Sequence, residues 1–83
     1  MKMWFVYVVE CRDGTLYTGI TDDVESRVGA HNKGKGARYT KGRGPVVLRY
    51  LEKVKGRSEA TKREAKIKKM SRLAKKKMIE SFS

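Results

Sequence analysis

A chain of 83 residues has room for one domain and a small core. With 21 Lys and Arg against 9 Asp and Glu, it carries a net charge of +12 and a pI near 10.2, which points to nucleic acid or another anionic surface. One cysteine, Cys11, excludes an intramolecular disulfide, one Cys and one His exclude a Cys/His zinc site, and no apolar run approaches a membrane span.

The first apolar run, Trp4 to Cys11, is rich in aromatic and β-branched residues and reads as a strand. It meets Glu10 and Arg12 at once and lacks a small-residue cleavage site, so it does not read as a signal peptide. Arg12-Asp13-Gly14-Thr15 is a turn, with Asp-Gly as its hairpin signal, and Leu16 to Thr21 is the partner strand. Asp22 and Asp23 suit the start of a helix running to about Asn32, where carboxylates meet free N–H groups and the positive dipole end. Lys33 to Arg43 is a basic, glycine-punctuated loop, with room for a short helix around Ala37 to Thr40. Pro45 precedes a third strand, Val46 to Leu51. Ser58 caps a second long helix to about Met70, and Ser71 starts a last helix, Arg72 to about Ser81. The order ββαβαα predicts an α/β (α+β) sandwich, a three-stranded, mainly antiparallel sheet covered by helices.

Five polar side chains sit where a core is expected. Tyr7 and Tyr17 lie in the two hairpin strands. At about 100° per residue, His31 projects within the Val24 and Val28 stripe of the first helix and Arg27 at its margin. Glu64 falls between Ala60 and Ile67 on the inner face of the second long helix, where a lone carboxylate needs a cation, a metal or hydrogen-bond donors. Each also has an ordinary structural reading: strand packing for the tyrosines, a stripe-edge position for Arg27, a satisfied helix-end histidine for His31, an ion pair for Glu64. A two-residue loop would pair Tyr17 with Glu10 and put the tyrosines on opposite faces. A three-residue loop, Asp13-Gly14-Thr15, would put them on one face, so a shared site requires an odd loop or a bulge.

The ordered motifs resemble a known family. Phe5-Val6-Tyr7 followed by Tyr17-Thr18-Gly19 resembles the two-part signature of the GIY-YIG nuclease superfamily. Arg27, His31-Asn32, Gly36-Ala37, Tyr39-Thr40, Gly42-Arg43 and Pro45 extend the match toward small stand-alone prokaryotic GIY-YIG proteins, and it is also similar to the nuclease domain of structure-selective endonucleases. Phe5 replaces the first motif's Gly and Thr18 the second motif's Ile, at positions expected to be structural. The resemblance covers roughly residues 3–80 and implies a single GIY-YIG domain over 1–83, with its core at about 3–70 and a basic C-terminal helix at about 71–81.

What the resemblance implies is a phosphodiesterase using one Mg²⁺ or Mn²⁺ ion. Glu64 would hold the metal, which stabilises the leaving oxygen. Arg27 would hold the scissile phosphate. Tyr7 and Tyr17 would position and deprotonate the attacking water, with His31 assisting, to leave a 5′-phosphate and a 3′-hydroxyl. Either tyrosine is a poor base at its ordinary pKa near 10 unless a metal or cations lower it, and which one serves stays open. Asp22 and Asp23 diverge on their helix and read as caps, not as a second metal site.

Charge names the substrate. Residues 1–41 hold 7 basic and 5 acidic side chains, so +2, whereas residues 42–83 hold 14 and 4, so +10. Lys62, Lys66 and Lys69 belong to a basic run suited to a phosphate backbone. Lys33, Lys35, Arg38, Tyr39, Lys41 and Arg43 make a candidate nucleic-acid flap, with Tyr39 stacking on a base or anchoring the loop. The expected function is a metal-dependent endonuclease acting on DNA rather than RNA, in the cytoplasm, with room for a protein partner that supplies specificity. The rival is a non-catalytic nucleic-acid-binding protein that keeps the fold.

Overall fold

The computed structural model describes residues 3–35, 42 and 44–82. Its elements follow the order β1 (Trp4–Glu10), β2 (Leu16–Thr21), α1 (Val24–Asn32), β3 (Val47–Val54), α2 (Arg57–Lys68) and α3 (Arg72–Phe82). The strands form one sheet in the order β2-β1-β3, antiparallel throughout. The expected short helix around Ala37 to Thr40 lies outside the described residues.

The β1–β2 turn sets the chemistry of the whole sheet. The Cys11 N–H donates to the Thr15 carbonyl at 2.8 Å and the Gly14 N–H to the Cys11 carbonyl at 2.9 Å, leaving a three-residue loop, Arg12-Asp13-Gly14. The loop is odd, as a shared tyrosine face requires, but begins one residue earlier than Asp13-Gly14-Thr15. Gly14 decides the position, because it takes the left-handed φ of +86° at the loop's third residue. Asp13 fixes that bend by accepting from the Thr15 N–H at 3.1 Å and the Thr15 hydroxyl at 2.6 Å. The register therefore pairs Tyr7 with Gly19 and Val9 with Tyr17.

Helices cover both faces. Val6 and Val8 meet Ala60 and Ile67 of α2, joined by Leu16, Ile20, Met78 and Ile79, in a dry apolar layer. On the other face, Tyr7, Val9, Cys11 and Val46 form a second cluster with Tyr17, Val28, Leu48 and Leu51. A register shift between Val8 and Val9, where Tyr50 and Leu48 are the successive β3 partners, lets Arg49 bulge out. Leu48 and Leu51 can then share a face although they are three residues apart, and Arg49 donates to Glu10 at 2.8 Å. β3 also runs three residues beyond the expected Leu51.

The helix ends follow local chemistry in two of three cases. Asp23 caps α1 by accepting from the Ser26 N–H at 3.2 Å, and Ser71 caps α3 by accepting from the Ala74 N–H at 3.1 Å. Ser58 is not a cap. The helix starts earlier, with extended Gly56 as N-cap and no side-chain cap bond, which leaves Ser58 already inside the first turn. In α1 the expected Val24 and Val28 stripe is only half-buried, and the side chain driven fully inside is His31.

Candidate active site

The hairpin register builds the centre of the site. Tyr7 and Tyr17 are diagonal neighbours on the α1 face, with ring centroids 6.4 Å apart. The C-terminal turn of α1 brings His31 against both, at 5.8 Å from the Tyr7 ring and 5.4 Å from that of Tyr17. The Tyr7 hydroxyl and His31 Nε2 are hydrogen-bonded at 2.9 Å. Both residues are buried, at 1% exposure each, whereas Tyr17 is half-buried and reaches solvent.

Gly19, which in the sequence is only the last residue of the Tyr17-Thr18-Gly19 motif, makes this arrangement possible. The Tyr7 phenol lies across β2 over Gly19, so any Cβ there would meet the phenol oxygen and stand 2.6 Å from Cζ. Gly19 does not need a left-handed backbone; it is needed for space. The detectable signal was Tyr opposite Gly, which appears only once the odd loop fixes the register.

Burial and charge act on the pair together. Burial pushes the Tyr7 phenol above its usual 10, with the charges of Tyr17 and Glu64 pushing the same way and Arg27 opposing. Burial, then the Arg27 charge, lowers His31 below its usual 6.5. At neutral pH the pair is a protonated phenol against a neutral imidazole. Arg27 is half-buried, and its Nε is buried with no hydrogen-bond partner among the described residues.

Glu64 comes from α2, which packs against β2 and β1. Its side chain is 21% exposed and pairs with Lys68, one turn on, at 3.4 Å. The pairing partner is thus a lysine of its own helix. Among the described residues no group of three or more His, Cys, Asp and Glu side chains can converge on a metal. A single partly exposed carboxylate still fits a hard ion such as Mg²⁺, which keeps several waters and takes one or two carboxylates plus substrate phosphates. Glu64 is the residue that would hold it.

The remaining expected contacts divide. Lys33 and Lys35 are exposed just beyond α1, on the His31 side of the fold. Lys62 and Lys66 line a groove with Glu52, Val54 and Arg63, on the β3 flank of α2 rather than the flank that carries Glu64. Lys69 is the exposed C-cap of α2. Arg38, Tyr39, Lys41 and Arg43 lie outside the described residues. Asn32 does more than end its helix: its Oδ1 accepts from the Val46 N–H at 2.6 Å, tying α1 to the segment that enters β3.

A family model described as the GIY-YIG catalytic domain matches residues 3–78. The chain belongs to the GIY-YIG family. Relatives include the UPF0213 proteins of Staphylococcus haemolyticus, 55% identical over 96% of this chain and 98% of that protein, and of Halobacterium salinarum, 56% identical over 88% and 95%. Among solved structures, the solution NMR structure of a UPF0213 protein from Bacillus halodurans is 41% identical with a TM-score of 0.61, covering 94% of this chain and 83% of that one. A second NMR structure, of a protein from E. faecalis, is 41% identical with a TM-score of 0.65, covering 98% and 86%. The GIY-YIG domain is of nuclease type, and the motif tyrosines are the two rings packed around His31. No helix among the described residues is long and apolar enough to cross a membrane.

Proposed function

We propose that this GIY-YIG protein is a metal-dependent endonuclease that hydrolyses phosphodiester bonds of DNA. The observation that carries the reading is the Tyr7–His31 hydrogen bond, buried beside Tyr17 and an Arg27 Nε without a partner among the described residues. A buried histidine kept neutral beside a phenol is suited to receive a proton. A guanidinium with an unused, desolvated donor is suited to a phosphate oxygen.

In this mechanism the scissile phosphate sits on Arg27, whose charge offsets that developing on the non-bridging oxygens. Tyr17, at the solvent side, orients the attacking water. The water oxygen bonds to phosphorus as the P–O3′ bond breaks. Its proton passes to Tyr7 while the Tyr7 proton passes to His31 Nε2, so no free phenolate forms. This relay meets the weakness of tyrosine as a base, because burial disfavours the charged phenolate. The departing 3′-oxygen takes a proton from solvent water and His31 returns its proton to solvent, so the products are a 5′-phosphate and a 3′-hydroxyl. A divalent ion on Glu64 would supply electrostatic stabilisation of the leaving oxygen.

Lys33, Lys35, Arg38, Lys41 and Arg43, with Tyr39 among them, are proposed to hold the strand entering the site, and Lys62, Lys66 and Lys69 to hold backbone further along. The reduced thiol of buried Cys11 and the absence of any cysteine partner suit a cytoplasmic protein. A partner protein would supply substrate specificity to so small a surface.

The test is cleavage of branched and duplex DNA with Mg²⁺ or Mn²⁺, in competition with structured RNA, using Glu64→Gln as control. Cutting that disappears in Glu64→Gln while DNA binding persists supports the enzyme reading. Metal-independent binding without cutting of any substrate would leave a binding protein on a nuclease fold, and preferential cutting of RNA would overturn the DNA assignment.

A further inference from the structure

Glu64 is the carboxylate that the proposed mechanism reserves for a divalent cation, yet a cation already stands beside it. Lys68 Nζ lies 3.4 Å from Glu64 Oε2. The α2 neighbours Lys62 and Lys66 are turned to the β3 flank, so Lys68 is the α2 lysine seen to contact the carboxylate. The separation exceeds the 2.7–2.9 Å of a tight charge-assisted hydrogen bond and the Lys68 side chain is 53% exposed, as in a weak helix pair that a stronger ligand can displace.

We propose that Lys68 is an internal counter-ion for Glu64, displaced onto a substrate phosphate when a divalent cation takes the carboxylate. The inference rests on the metal-dependent reading of the site. Without the metal, Lys68 neutralises a carboxylate that would otherwise face the incoming phosphodiester with like charge. With the metal bound, the dication and the ammonium repel one another across the carboxylate, which weakens the Lys68 contact. The lysine stem is long and flexible, with its head already half in solvent at 53% exposure, so the ammonium can swing away without disturbing the helix. A substrate phosphate backbone would then offer it a strong acceptor. Lys68 is accordingly a positioning residue: it sets when Glu64 is available and adds a phosphate contact only in the metal-loaded protein.

The experiment has two readouts that do not depend on turnover. Mn²⁺ affinity is measured by water-proton relaxation for the wild type, Glu64→Gln, Lys68→Gln, Lys68→Arg and, as a charge control remote from the site, Lys53→Gln. Removing an exposed competing partner should tighten Mn²⁺ binding about two- to fivefold in Lys68→Gln, while Lys68→Arg stays near wild type and Lys53→Gln changes little. Duplex DNA binding is then followed against salt in EDTA and in Ca²⁺, with denaturing gels confirming uncut strands. Lys68→Gln should lower the salt slope by about one phosphate contact in Ca²⁺ and leave it unchanged in EDTA. Mn²⁺ binding lost in Glu64→Gln but unchanged in Lys68→Gln overturns the counter-ion alone, as does an equal loss of slope in both buffers. Wild-type protein that binds no Mn²⁺ at Glu64 overturns the metal reading and this inference together.

Discussion

Alternate residues of β1 look into two unlike environments. Val6 and Val8 enter a layer closed by Ala60 and Ile67, in which nearly every group is apolar. Tyr7, one residue away on the same strand, enters a layer where its hydroxyl, His31 and Arg27 depend on one another. The first layer is held by area and shape, which many apolar side chains can supply. The second is held by donors and acceptors that each need a specific partner at low dielectric, so it tolerates little change. Stability is thus concentrated on the α2 and α3 face, and the candidate chemistry on the α1 face, with Glu64 reaching across from α2.

The comparison breaks most visibly at Ile67, fully buried at the middle of the dry layer. Ile67→Ala should cost about 2–5 kcal/mol by denaturant unfolding, a large share of the stability of so small a domain. The Tyr7–His31 NMR contacts should persist in whatever fraction stays folded. A loss of those contacts before unfolding would show that the two faces are not separable.

On the other face, Gly19→Ala adds one methyl against the Tyr7 phenol. It should cost about 1–3 kcal/mol by overpacking and displace the Tyr7 hydroxyl from His31. Cleavage should fall far more than stability, whereas Ile67→Ala should show the reverse. Unchanged ring-proton shifts in Gly19→Ala would refute the space argument.

A smaller effect of opposite sign is expected at Thr18. Its Oγ1 is buried on the dry face, paired across from Val8, and has no hydrogen-bond partner among the described residues. Thr18→Val removes that orphaned hydroxyl at constant shape and should raise stability by about 1 kcal/mol. A destabilising result would mean the hydroxyl has a partner such as an ordered water.

The smallest effect is with pH. His31 is held below its usual 6.5, so the unfolded chain binds a proton more readily than the folded one. Stability contributed by neutral His31 should be full above pH 6.5 and decline as pH falls from 6.5 toward the folded-state value. Cleavage should fall lower, as pH passes through the folded-state value and the proton acceptor is lost. A His31→Gln variant should lose the stability slope in that window; a slope that survives would assign it to another group.

The tyrosines, Arg27, His31 and Glu64 stood out in the sequence because each is polar where periodicity demands an apolar residue. The same periodicity located all six elements, and Asp23 and Ser71 announced their helices through local capping. The cap of α2 falls two residues before Ser58, which has the right chemistry in the wrong place, while Gly56 offers no side chain to notice. Residues 47–54 pair around a bulge, which no strict alternation reveals.

The order of elements, the charge and the set of reactive side chains follow from residue type and local spacing alone. Which of those side chains meet follows from how the elements pack. The three-residue loop set the parity that puts Tyr7 and Tyr17 on one face, and Gly19 left the space through which the Tyr7 phenol crosses β2. Packing of α1 drove His31 to within hydrogen-bonding distance of Tyr7. Each of these depends on the register and approach of segments far apart in the chain, where a shift of one residue reverses a side chain's direction.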